Sequence, residues 1–75
     1  MLIVSNRIDA SALLALLTDG SEVVFAESQC VVQVNNGRVI GDSPYGYIDF
    51  MGPVSDVMHL VHWARSWTPL MPSNR

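Results

Sequence analysis

The 75-residue chain is long enough for one small domain and too short for two. Apolar residues make up 49% of it and charged residues 15%, against about 25% charged in an average soluble domain. It therefore has too little charge to cover its own outside, and some apolar side chains must stay exposed or be covered by another chain. The net charge of −3, with four scattered arginines and no lysine, disfavours a nucleic-acid backbone as partner. A single cysteine, Cys30, excludes an intrachain disulfide and reads as a small buried apolar residue. The Met1–Arg7 segment lacks the basic region of a signal peptide. The apolar run around Leu13–Leu17 is far short of the roughly 20 residues of a membrane span. The cytoplasm is the expected compartment.

In chain order, Leu2-Ile3-Val4 is short, apolar and β-branched, and reads as a buried strand or a flanking extension. Asp9 is a suitable N-cap for a helix over Ala10–Leu17, with Gly20 as its stop. Leu13, Leu14 and Leu17 share a face with Ala10. Glu22–Glu27 and Cys30–Val34 are β-rich. Asn36-Gly37 between valine-rich runs predicts a two-residue hairpin turn. It pairs Asn35 with Arg38, Val34 with Val39, Gln33 with Ile40 and Val32 with Gly41. One face then carries Val32, Val34 and Val39, and the other Val31, Gln33 and Ile40.

Asp42–Gly46 reads as a loop by composition, and Tyr47–Phe50 as one more strand. Gly52-Pro53 is expected to open a last helix over Val54–Trp67. At 100° per residue, Val54, Val57, Met58, Val61 and Ala64 form one apolar stripe. Leu60, Trp63 and Trp67 form a second, and His59 and His62 lie on the polar side. A helix packed on one sheet needs a single apolar stripe. The second stripe is either the rim of the same core or a partner surface, where tryptophan is enriched.

His59 and His62, three apart, project the same way and supply two metal ligands at most. Cys30 and Asp56 are the other donors by type, and nothing in the sequence brings Cys30 near, so no metal site is expected. Gly41-Asp42-Ser43 resembles the nucleophile block of the GDS-type esterases and lipases, and Asp56-Val57-Met58-His59 resembles the Asp-x-x-His block that completes their triad. That resemblance implies Ser43 as nucleophile, His59 as base and Asp56 as its orienting acid. The family's blocks lie at opposite ends of a much longer α/β chain, and its oxyanion-hole blocks have no counterpart here. Ile3-Val4-Ser5-Asn6-Arg7 is similar to the start of trehalose-phosphate synthases. The glycine-rich loop that should follow is missing, and there is no room for two Rossmann-type domains. No phosphate loop is present, and no cofactor is expected.

These readings converge on an α+β domain over residues 1–68 with a proline-containing tail, 69–75. A three- to four-stranded antiparallel sheet is expected to pack against a short N-terminal and a longer C-terminal helix. The expected function is non-enzymatic. It is a protein-binding module in the character of small phage or mobile-element inhibitors, anti-CRISPR proteins among them, that occupies a host protein. Its partner is another protein or a second copy, with no direct nucleic-acid or membrane contact. The expected binding residues are Leu60, Trp63 and Trp67, with Tyr45 and Tyr47 beside them. A homo-oligomer, and a small hydrolase or metal protein using Ser43, Asp56, His59 and His62, are the alternatives.

Overall fold

The Asn36-Gly37 turn forms as its chemistry requires. Both residues hold positive φ, 54° and 75°, and the strands on either side pair from Asn35–Arg38 to Val31–Asp42. This hairpin is the centre of a computed structural model that describes residues 1–67. The tail of 69–75 lies outside the described residues. Five strands are present, β1 (Leu2–Val4), β2 (Glu22–Phe25), β3 (Val31–Asn35), β4 (Arg38–Asp42) and β5 (Phe50–Pro53), with helices α1 (Ala10–Leu16) and α2 (Val57–Ser66). The strands lie side by side in chain order. Neighbours are antiparallel except β1 and β2, which run parallel because α1 crosses between them. The domain is α+β as expected, with a sheet of five strands where three to four were expected. Four strands, not two or three, lie between the helices; Leu2–Val4 is the strand expected, pairing fully with Val23–Phe25, but as an edge strand it leaves Leu2 and Ile3 exposed where a buried strand was expected.

Alternation along the strands separates two faces. Val23, Phe25, Val32, Val34 and Val39 are buried on one. Both helices cover that face, with Leu13 of the first and Leu17 at its C-cap, and Val57, Leu60, Val61 and Ala64 from the second. Cys30 is sealed in the same core. On α1, Ala10, Leu13 and Leu17 point inward, while Leu14, expected on that face, is 42% exposed. On α2 the two expected stripes resolve differently. Leu60 sits in the centre of the core at 1% exposure, and Met58 turns outward. The buried set 57, 60, 61 and 64 is the i, i+3, i+4, i+7 pattern of one helix face.

Two boundaries move. The last strand starts at Phe50 instead of Tyr47, and Gly52 and Pro53 end it where they were expected to open the helix. Pro53 is tolerated because β5 is an edge strand. The chain then turns through Val54 and Ser55 to Asp56, the residue that precedes α2.

A buried asparagine joins the ends of the chain. Asn6, 5% exposed, donates from Nδ2 to the Ala64 carbonyl at 3.1 Å and accepts the Ser28 N–H at 3.4 Å. Its own N–H donates to Glu27 Oε1 at 2.7 Å, and its carbonyl accepts Arg65 Nε at 2.9 Å. The β1–α1 loop, the β2–β3 loop and the end of α2 thus meet at one side chain.

Over β4, the Trp63 ring lies against the backbone of Gly41. A Cβ on Gly41 would stand 2.6 Å from Trp63 Cη2 and 2.8 Å from Cζ3. Gly41→Ala therefore forces the indole or the strand to move. Overpacking of this kind costs about 1–3 kcal/mol, which lowers the melting temperature of a domain this size by on the order of 10 °C. Thermal denaturation followed by circular dichroism reads it directly.

Candidate functional site

The loop between β4 and β5, residues 43–49, combines exposed aromatic surface with a dense set of internal bonds. Its ends are tied by carboxylates. Asp49 Oδ2 accepts from the Ser43 N–H at 3.2 Å and from the Ser43 hydroxyl. Asp42 Oδ1 accepts from the Ile48 N–H at 2.6 Å, and the Asp49 N–H donates to the Gly41 carbonyl at 2.9 Å. Inside, the Gly46 N–H donates to the Ser43 carbonyl, and the Tyr45 N–H to Ser43 Oγ. A Cβ on Gly46 would collide with the Asp49 carboxylate, which would have to shift away from its Ser43 bonds. Ile48 is held at φ 56°, a conformation rare for a β-branched residue. That strain persists because the surrounding bonds fix it.

What the loop presents is apolar. Tyr47 is 88% exposed, Tyr45 62% and Ile48 42%. Tyr45 is supported from below, stacked on Trp67 with ring centroids 5.3 Å apart and planes 15° from parallel. Trp63 leans on Phe50 at 5.7 Å. Both tryptophans are half-buried against the core, and the indole N–H of each is shut off from solvent with no acceptor among the described residues. These rings are therefore held by packing alone. The residues expected to bind a partner thus separate by place. Leu60 is core, Trp63 and Trp67 are the platform under the loop, and Tyr45 and Tyr47 are its exposed surface. Ile48, which the strand reading of 47–50 hid, belongs with them.

The triad implied by the GDS-type resemblance is not assembled. Ser43 is bound to Asp49, and His59 to Asp56 through Nδ1–Oδ1 at 2.5 Å, with no hydrogen bond between Ser43 and His59 among the described residues. His62 lies apart, on the rim of a shallow depression with Asp9 and Arg65. No group of three His, Cys, Asp or Glu side chains able to hold a metal occurs among the described residues. Burial pushes the Cys30 thiol up from its ordinary pKa, which keeps it protonated and unreactive. No helix among the described residues is long and apolar enough to cross a membrane.

Comparison with family models, with curated proteins and with solved structures gives no match.

Two measurements follow from this geometry. Asp49→Ala removes the acceptor that closes the loop. It is expected to cost about 1 kcal/mol of stability and to raise amide hydrogen exchange at Gly46 and Ile48, with the β3–β4 hairpin amides unchanged. The second concerns Glu27, whose carboxyl is held below its usual pKa first by the Asn6 N–H. A group depressed in the folded state adds stability above its unfolded pKa of about 4.3 and loses it as pH falls through the lower folded value. Wild type should lose stability below about pH 4 more steeply than Glu27→Gln in urea titrations across that range.

Proposed function

We propose that the chain is a protein-binding module whose contact surface is the β4–β5 loop. The observation that carries this reading is the pairing of rigidity with exposure at residues 43–49. Two tyrosines and an isoleucine are held out to solvent by a loop that has already paid its ordering entropy. Tyrosine gives a large amphipathic contact area for only two rotatable bonds, and preorganised loops bind without the cost of ordering. A loop that only joined two strands would need neither a strained Ile48 nor an aromatic platform. The stack on Trp67 fixes the direction in which Tyr45 points, and the side chain stays 62% exposed.

The partner chemistry follows from the surroundings. Asp42 and Asp49 flank the aromatic tip, and the chain carries a net charge of −3. The fitting surface on another protein is an apolar pocket with basic residues at its rim. A module of this kind acts by occupancy, covering a site that the partner needs, as small phage and mobile-element inhibitors do. That comparison rests on size and character.

A photo-crosslinking residue at position 47 tests the reading. Irradiation in an extract of the native host or its host bacterium is expected to yield one dominant crosslinked protein. In direct binding to that protein, Tyr45→Ala and Tyr47→Ala should each weaken affinity about 10- to 100-fold, as interface hot spots do. Their circular dichroism should match the wild type. Unchanged affinity in both variants would place the contact elsewhere.

A further inference from the structure

The Asn36-Gly37 turn carries a reactive pair as well as the register of β3 and β4. Asn36 precedes a glycine, as no other asparagine of the chain does. Both residues are exposed, and the Asn36 side chain makes no hydrogen bond among the described residues. The space beside Gly37 is open, with nothing within 4 Å of where a Cβ would stand. Asparagine is a chemically labile residue, and most so where an unshielded backbone nitrogen follows it and can attack its side-chain amide.

That nitrogen is held. The Gly37 N–H donates to Asp19 Oδ1 at 3.0 Å. Asp19 is fixed in turn by the segment that carries it. The Gly20 N–H donates to the Val34 carbonyl at 3.0 Å, the Val34 N–H donates to the Ser21 carbonyl at 3.1 Å, and the Thr18 and Ser21 hydroxyls lie 2.6 Å apart. The α1–β2 turn is thus laced to the end of β3 and lays a carboxylate on the hairpin tip. On the other side, the Gly37 carbonyl accepts the Val54 N–H at 2.8 Å. The peptide units before and after Gly37 are both pinned, one by Asp19 and one by the segment that leads into α2.

We propose that Asn36 is a site of spontaneous covalent modification gated by Asp19, silent while the Asp19–Gly37 bond holds and reactive when it opens. Gly37 N gives up its proton and bonds to Asn36 Cγ, and the side-chain nitrogen takes up a proton and leaves as ammonia. The resulting five-membered succinimide adds one water, which breaks one of its two C–N bonds. Cleavage on the side-chain carbon gives aspartate. Cleavage on the main-chain carbon gives iso-aspartate, in which the backbone runs through Cγ.

Three effects make the bond a gate. Ring closure needs Gly37 N to swing about the Asn36 Cα–C bond until it eclipses Cβ. A type I′ turn sets the Asn36 ψ at about +30°, where that nitrogen points away from Cβ, and Asp19 holds it there. An amide nitrogen is also a poor nucleophile until its proton is gone, because its lone pair is delocalised into the carbonyl. A carboxylate, whose acid ionises at about pH 4, is too weak a base to remove that proton and only binds it. The charge of Asp19 finally opposes the amide anion through which the attack passes, as a like charge opposes any ionisation beside it. The two products then differ in effect. Aspartate suits this position of a type I′ turn. Iso-aspartate lengthens the backbone of a turn whose length fixes the strand register, and it draws the Gly37 carbonyl off Val54.

The full chain is kept folded at neutral pH and sampled over weeks, and peptide mapping by mass spectrometry separates asparagine, aspartate and iso-aspartate at position 36. Wild type is expected to convert slowly, and the same chain unfolded in urea much faster. Asp19→Ala should raise the folded-state rate about tenfold, the factor that one hydrogen bond to a charged acceptor sets on a local opening. Hydrogen exchange at the Gly37 amide should rise by the same factor, since both processes need that N–H freed. Gly41→Ala, which destabilises the domain at the far end of the hairpin, should leave the rate at Asn36 unchanged. Asp19→Ala is chosen over Asp19→Asn, which would set a second asparagine before a glycine, Gly20. A wild type that converts as fast as the unfolded chain overturns the proposal. So does an Asp19→Ala variant that converts no faster than wild type, or a Gly41→Ala variant that converts as fast as Asp19→Ala. A Gly37 amide that exchanges without protection in the wild type overturns the gate with no variant needed.

Discussion

A sheet of five strands at about 4.8 Å spacing is roughly 24 Å wide, and two helices of about 10 Å diameter cover roughly 20 Å of it. That arithmetic governs the molecule. With only α1 and α2 among the described elements, one face of the sheet can be closed and the other cannot. Even the closed face has a strip left over along β4 and β5. Trp63 and Trp67 fill it. Their rings extend sideways from α2 over Gly41 and Phe50 and beneath Tyr45, where a third helix would otherwise have to pack. Gly41 is the consequence on the sheet side, since any side chain there would occupy the space of the indole.

The same substitution of rings for a helix explains the unpartnered indole N–H groups. A large flat side chain that covers backbone at van der Waals distance excludes water from its own polar atom. Each buried donor left unpaired costs about 1–3 kcal/mol. The contact areas of the two rings offset that cost, since a buried aromatic side chain removes about 150–250 Å² from water. The platform is thus selected for shape at the expense of polar satisfaction. It gives Tyr45 a firm support at the one edge of the core where a loop projects. Asn6 does the opposite work at the other end of α2, where every polar group of one side chain is used to bind three segments.

What the sequence revealed was what depends on near neighbours. The Asn36-Gly37 turn and the four cross-strand pairs it sets were readable because the turn type fixes the register. The start of α1 after Asp9 was readable from propensity, although Asp9 occupies the N-cap position without a side-chain capping bond. Features decided by distant chain were not. Ile48 looks like a strand residue by its β-branching, yet it sits at positive φ with its N–H held by Asp42, outside its own run. Pro53 resembles a helix opener until the edge position of β5 is known. Leu60 fell into the wrong stripe because helical periodicity orders residues around an axis without fixing which direction faces the sheet. Tyr45 and Tyr47 were identifiable as exposed aromatics, whereas the network that makes their loop rigid was not.

The low charge of the chain now has a location. Apart from Met58 on α2 and Leu14 on α1, the large exposed apolar side chains lie on the sheet's edges and at the tip of the β4–β5 loop. These two surfaces differ in physics. The sheet face is broad and open, with Ile3 and Met51 exposed at its two edges. The loop carries Tyr45, Tyr47 and Ile48 between the carboxylates of Asp42 and Asp49. Two such tips brought together would set like charges against each other and bury little area. On the proposed reading, a tip flanked by acids is matched by a basic surface on a different protein and not by its own copy.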